Sequence, residues 1–251
     1  MNIHRMFHRP FIVVLISLVS MQMVSAADWS SSNIQLLHGT NYQLGEAERT
    51  ILTFEHSNKW SHGDNYFFVD ITEPNGKGTT HYAEFAPRLS VSKLSGWDAS
   101  HGIIKDTYIA ASIEMGDGNH AHLLGIGTSL DLPGFSYANI NFLRRESYRD
   151  WLTEDTDSGW QLTLTWGLPF TIKESKWLFE GFLDYAFSED GGSSPKADNM
   201  ITAPRLLLDV GHLWGTPDQL FAGLEHQVWR NKFGVDGVDE EVSQMMIKWV
   251  F

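Results

Sequence analysis

Residues 159–188 alternate with a period of two. Trp160, Leu162, Leu164, Trp166, Leu168 and Phe170 fall on one face of an extended chain, and Gln161, Thr163, Thr165 and Gly167 on the other. Farther on, Trp177, Phe179, Gly181, Leu183, Tyr185 and Phe187 alternate against Glu180, Phe182, Asp184 and Ala186. Side chains switch sides at every residue of a strand but recur every 3.6 residues on a helix, so this pattern dictates β structure. Each run is about ten residues, the length a tilted strand needs to cross a bilayer. Similar runs lie near 33–43, 49–57, 65–73, 79–91, 104–116, 119–132, 135–147, 159–170, 176–188, 200–212, 219–230 and 242–251. Beyond the first 26 residues no segment is apolar for long enough to form a membrane helix, so any crossing is by strands. Strands satisfy their backbone groups in lipid only when the sheet closes on itself. The expected fold is therefore all-β, a transmembrane antiparallel β-barrel of about twelve strands. A soluble β-sandwich or lipocalin-like barrel alternates too, with its apolar face turned inward.

The two ends of the chain favour the membrane alternative. Arg5 and Arg9 precede the apolar stretch 11–19, and Val24-Ser25-Ala26 has the small-x-small pattern of a signal peptidase site. Residues 1–26 read as a secretory signal peptide and 27–251 as the barrel, with too little chain before the first strand for a plug domain. At the other end, Met245, Ile247, Trp249 and Phe251 share one face, and Gln244, Met246, Lys248 and Val250 the other. This segment resembles the closing strand of bacterial outer-membrane barrels, in which the terminal Phe is an assembly signal. That resemblance implies the barrel-assembly machinery as a partner through Phe251.

The formal net charge is −13. The leader holds two of the 18 basic residues and none of the 31 acidic ones, so 16 face 31 in the remainder, a net −15. Such a surface argues against nucleic acid as a partner, because phosphate backbones require a basic footprint. Cysteine is absent, so no disulfide braces the exported chain. Leu132-Pro133-Gly134 and Gly215-Thr216-Pro217-Asp218 read as tight turns, while 146–158, 189–199 and 231–241 read as longer polar loops. With an even strand number and both termini in the periplasm, the long loops lie outside. Asp150, Glu154, Asp155, Asp157, Asp236, Asp239, Glu240 and Glu241 make them acidic, suited to solvation or to cation-bridged contact with lipopolysaccharide. The long connection 92–103, containing Trp97, is expected on the periplasmic side, folded against the barrel mouth.

If the apolar face meets lipid, the opposite face lines a lumen, and charges are expected there. A charge at mid-bilayer on the lipid side costs about 2–4 kcal/mol. Glu55, Asp70, Glu84, Arg88, Glu114, Glu180, Asp184, Arg205, Asp209, Glu225 and Lys248 all fall on that inner face. Tyr66, Phe68, Tyr82, Tyr108, Phe182, Phe221 and Trp229 join them. Aromatics mixed with charges suit a planar polar solute, whose rings stack and whose hydroxyls and amides bond to carboxylates and guanidinium groups. The same residues could instead plug and stabilise a narrow barrel. The facing of 119–132 stays ambiguous, because Gly125 and Gly127 blur its alternation.

The segment Thr53-Phe54-Glu55-His56-Ser57-Asn58-Lys59-Trp60-Ser61-His62-Gly63-Asp64-Asn65-Tyr66-Phe67-Phe68-Val69-Asp70 resembles the second and third strands of the nucleoside-specific channel (Tsx) family and its OmpK-like relatives. Asn33-Ile34-Gln35-Leu36-Leu37-His38-Gly39-Thr40-Asn41-Tyr42 and Tyr82-Ala83-Glu84-Phe85-Ala86-Pro87-Arg88-Leu89-Ser90 support the match. The resemblance implies a monomeric twelve-stranded outer-membrane barrel of a Gram-negative bacterium. Family members conduct nucleosides, and some serve as phage or colicin receptors. The matching block carries Glu55, Tyr66, Phe68, Asp70, Glu84 and Arg88 as inner-facing candidates. Glu180, Asp184, Arg205 and Asp209 complete the candidate ligand-binding set on their facing alone.

Three functions are compatible with this sequence. The leading one is passive uptake of nucleosides or similar small polar solutes, without a cofactor or metal. A second is a closed barrel acting as a surface receptor through its acidic loops. The third is a barrel hydrolase, for which His120 and His122, two apart on one face, and nearby Asp117 are the candidates. No third metal ligand and no nucleophile setting accompany that pair.

Overall fold

The computed structural model of the chain describes residues 27–73, 78–149, 157–189 and 196–251. The expected leader, residues 1–26, lies outside the described residues, as do Asp150, Glu154 and Asp155 of one acidic loop. The elements are β1 (Trp29–Thr40), β2 (Glu48–Trp60), β3 (Gly63–Glu73), β4 (Thr80–Ser90), a short helix α1 (Val91–Ser95), β5 (Ile104–Gly116), β6 (Asn119–Leu130), β7 (Tyr137–Arg149), β8 (Asp157–Ile172), β9 (Ser175–Ala186), β10 (Asn199–Thr202), β11 (Arg205–Asp209), β12 (Leu220–Arg230) and β13 (Glu240–Val250). Neighbouring strands are antiparallel, and β13 pairs back onto β1 from Asn33↔Val250 to Gly39↔Gln244, closing the barrel.

The thirteen segments make twelve strands. Thr202 lies opposite Leu183 and Arg205 opposite Glu180, so β10 and β11 continue one register along β9. Pro204 separates them because it has no N–H to give the ladder. The expected strand 200–212 is therefore interrupted, and its last residues belong to a 3-10 turn, Gly211–Trp214. The first strand also differs from the expected 33–43. It begins at Trp29, and Asn41 adopts φ 76°, a left-handed conformation that ends it and turns Tyr42 inward.

The two faces separate as the alternation requires. Ile34, Leu36, Leu52, Phe54, Phe85, Ile109, Ile113, Met115, Met245, Ile247 and Trp249 are exposed on the outer wall. Their sequence neighbours Asn33, Gln35, Thr53, Ser112, Glu114, Gln244 and Lys248 are buried within. Large apolar side chains pointing outward from a closed sheet identify a lipid-facing band and exclude the soluble alternative. β6 resolves its ambiguity through its partners: Ala121, Leu123, Gly125 and Gly127 face inward, opposite Ser147, Arg145, Leu143 and Asn141. Gly127 leaves room for Asn141, whose Oδ1 would lie 2.2 Å from an added Cβ.

Both described termini lie at one end, hereafter the terminal end. The 92–103 connection belongs to that end, as expected. Ser90 caps α1 by accepting from the Lys93 amide (3.0 Å), and the Ser90 and Ser92 hydroxyls donate to Asp106 on β5 (2.6 and 2.8 Å). Trp97 is 69% exposed, so the segment turns at the rim while this indole stays outside the packing. The opposite end, hereafter the long-loop end, carries the β12–β13 loop, residues 231–239, while the expected tight turn at 215–218 is part of a longer connection, 210–219, at the terminal end.

Candidate solute-binding lumen

Cross-strand neighbours place Glu55 on β2 opposite Phe68 on β3, and Phe68 opposite Glu84 on β4, which lies opposite Glu114 on β5. This row runs around one side of the inner wall. Directly paired residues share a face in an antiparallel sheet, so all four point into the lumen.

Glu55 is a hub. It accepts from Asn33 Nδ2 (3.0 Å), Gln35 Nε2 (3.2 Å) and the Tyr66 hydroxyl (2.9 Å). Across the lumen the Arg205 guanidinium lies 3.8 Å from it. Arg205 also donates to Glu225 (2.6 Å) and lies 3.7 Å from Glu180, which in turn accepts from Lys248 (2.7 Å). One arginine and one lysine thus serve three carboxylates from β2, β9 and β12.

A second cluster occupies the other side. Arg145 on β7 donates to Glu114 (2.7 Å), Gln161 (2.8 Å) and Glu189 (3.0 Å), and Lys196 also reaches Glu189 (2.8 Å). Gly159 makes this possible, because Glu189 Cγ would lie 3.1 Å from a Cβ there. Glu84 accepts from Ser112 (2.9 Å), Asp184 from Thr163 and Gln161, and Asp70 from Thr53 (2.5 Å). Among the described residues these three carboxylates have hydroxyl or amide partners and no ion pair. A carboxylate held by neutral donors retains lone pairs for a solute's N–H and O–H groups.

Between the clusters the rings of Tyr66, Phe68 and Tyr82 form a ladder, with centroids 5.9 and 5.7 Å apart. Arg88 makes a bidentate pair with Asp64 (2.8 Å each) and stacks its guanidinium 4.3 Å from the Tyr108 centroid. It therefore belongs to a third set, toward the terminal end of β4. Asp209 is separate again. Its carboxylate accepts from the backbone amides of His212 and Asp218 (2.9 Å each), which organises a turn at the terminal end.

The structure thus gathers Glu55, Tyr66, Glu180 and Arg205 at one site, places Glu84 and Asp184 beside Glu114, and sets Phe68 in the ladder between them. Arg145 and Glu189 were not singled out by the sequence. Arg145 follows a second arginine, Arg144, and adjacent residues of a strand face opposite ways, so one of the two had to point inward. Glu189 gave no such signal, since it reaches the lumen from a loop. The inner face is also less polar than its charges suggest: Leu37, Leu207, Phe221 and Met246 form a buried apolar cluster, so Phe221 packs against side chains. Near the loop end, burial and the Glu225 carboxylate push the Tyr42 phenol well above its ordinary value.

The hydrolase candidates do not assemble. His120 and His122 lie on the outer wall, where the His120 ring stacks on Tyr148 at 4.7 Å, and Asp117 engages His81 instead. Among the described residues no three histidines or carboxylates are arranged to hold a metal.

Comparison with known proteins gives a consistent result. The profile described as "Nucleoside-specific channel-forming protein, Tsx" matches residues 24–249. Outer membrane protein OmpK of Vibrio parahaemolyticus serotype O3:K6 is 26% identical over 197 residues, covering 65% of this chain and 70% of the relative. Nucleoside-specific channel-forming protein Tsx of Salmonella typhimurium is 24% identical over 204 residues, covering 72% and 71%. Among solved structures, the NanC porin superposes with a TM-score of 0.54 at 9% identity, covering 86% of this chain and 98% of the porin, a likeness of fold.

Proposed function

Because the chain belongs to the nucleoside-specific channel-forming (Tsx) family of the bacterial outer membrane, we propose that its lumen passes nucleosides or similar small, planar, polar solutes by diffusion. The observation that carries this reading is the Tyr66–Phe68–Tyr82 ladder lying between two carboxylate clusters. A base stacks on an aromatic ring for about 1–3 kcal/mol. Three rings in succession offer three weak steps, and conduction needs sites that hold a solute briefly and release it. Asp70 and Glu84 lie along the same wall and Asp184 faces the lumen from β9, with acceptors to spare, suited to ribose hydroxyls and exocyclic amines. Glu55, fixed by four partners, positions the Tyr66 hydroxyl at the start of the ladder.

The test is single-channel conductance of the refolded barrel in planar bilayers, titrated with adenosine or thymidine. The expected result is a small conductance blocked saturably by nucleoside, with the block weakened at least ten-fold in a Tyr66→Ala/Phe68→Ala variant that keeps its β-sheet signal. A conductance indifferent to nucleoside, or a block unchanged in the variant, refutes the assignment of the ladder.

A further inference from the structure

The mouth at the long-loop end holds an arrangement that the proposed path does not use. The loop between β12 and β13 bends inward at Asn231 and Phe233, whose φ values are 48° and 60°. It delivers the Lys232 side chain into the barrel, only 2% exposed. The ammonium lies 4.7 Å from the Trp229 ring centroid, 5.4 Å from Phe233 and 5.9 Å from Tyr42. Its charge is met by Glu240 Oε2 at 2.5 Å. Glu240 is buried and also accepts from Gln227 Nε2 (2.7 Å) and the Gln43 amide (2.6 Å). The Tyr42 hydroxyl donates to Gln244, which fixes that ring.

Three rings and a carboxylate around one nitrogen is the chemistry of an ammonium-recognition site. A lysine serving only to pin a loop would need the carboxylate alone. Here the walls come from three stretches of chain: Tyr42 after β1, whose ring also carries the Arg49 guanidinium at 4.6 Å, Trp229 on β12 and Phe233 in the loop. Phe233 is 54% exposed, so one wall of the cage faces outward. Burial holds the Lys232 ammonium below the ordinary lysine value, opposed by its bond to Glu240.

We propose that this cage is a binding site for organic ammonium groups, kept shut by Lys232 as a tethered occupant that amine-bearing solutes displace. The inference concerns a site apart from the aromatic ladder, and it holds or fails independently of nucleoside passage. A tethered group competes at an effective concentration on the order of millimolar, so the native site answers only to concentrated amine.

The probe is n-butylammonium, the four-carbon ammonium of a whole lysine side chain, offered to a Lys232→Ala variant that keeps only the first of those carbons. The readouts are the thermal midpoint of the β-sheet signal and single-channel conductance. The expected result is a saturable upward shift of the midpoint and a saturable change in conductance in Lys232→Ala. Both should appear at amine concentrations at least ten-fold below those that affect the native barrel. n-Butanol should have no effect, and the response should vanish when Trp229→Ala is added. Equal response of native and variant barrels, or none in a folded variant, overturns the proposal. If Lys232→Ala does not fold alone, refolding yield decides: rescue by n-butylammonium and not by n-butanol supports the site, and equal yields overturn it.

Discussion

Replacing Arg205 with Met removes the cation that three carboxylates share while keeping most of the side chain's apolar length. Its guanidinium lies 2.6 Å from Glu225, 3.7 Å from Glu180 and 3.8 Å from Glu55. Arg205 and Glu55 have side chains about 15% exposed, and Glu180 and Glu225 are less exposed still, so solvent screens the group weakly. Breaking a buried ion pair by removing one partner costs about 3–5 kcal/mol, because the survivor is left uncompensated. Of these three carboxylates only Glu225 is at hydrogen-bonding distance from Arg205, and Glu180 keeps Lys248. The lower end applies, about 3 kcal/mol, or roughly a hundred-fold in the folding equilibrium constant. The assay is urea titration of the barrel in lipid vesicles, following tryptophan fluorescence in both folding directions. Arg205→Met/Glu225→Gln is expected to recover part of the loss, since it removes the carboxylate most dependent on Arg205. A loss below about 0.5 kcal/mol in the single variant, with no coupling in the double variant, means that these groups are solvated as surface pairs are and that the cluster argument is wrong.

Two further outcomes follow from the same structure. Ile113→Arg on the outer wall should destabilise the inserted barrel by about 2–4 kcal/mol, while Thr53→Arg on the inner wall should cost less and lower conductance instead; vesicle-based denaturation paired with conductance separates the two. Ser90→Ala removes the cap of α1 and a bond to Asp106, a loss of about 1 kcal/mol confined to the rim, so limited proteolysis should cut within 92–103 faster while the unfolding midpoint of the barrel hardly moves.

The strands were legible because alternation is local: each lipid-facing residue reports its side without reference to distant parts of the chain. Charges then follow by parity, which puts Glu55, Glu84, Glu180 and Arg205 on the inner wall without reference to any partner. Legibility failed where small residues removed the contrast. In β6, Ala121, Gly125 and Gly127 carry no outward or inward preference, and only the register against Arg145 and Ser147 assigns them. It failed again for side chains reaching the lumen from loops. Glu189, Lys196 and Lys232 act through partners that loop geometry brings near, and Tyr42 through Gln244 across the closed seam, and no period in the sequence reports that. Asp209 shares its strand face with Arg205, yet backbone amides of a turn claim its carboxylate, a competition that parity alone does not reveal.

The seam between β1 and β13 gives the molecule an order of events. Arg205 and Glu55 stand on opposite sides of that seam, as do Tyr42 and Gln244, and the Gln43 amide and Glu240. None of these contacts exists in a sheet that has curled but not yet shut. Until the last strand docks, the inner wall holds carboxylates facing an open edge, and both edge strands display unpaired backbone groups. The strand that shuts the barrel also brings Lys248 to Glu180. Closure and completion of the lumen's charge pattern are therefore one step, and a barrel shut in a slipped register would announce itself by stranded charges.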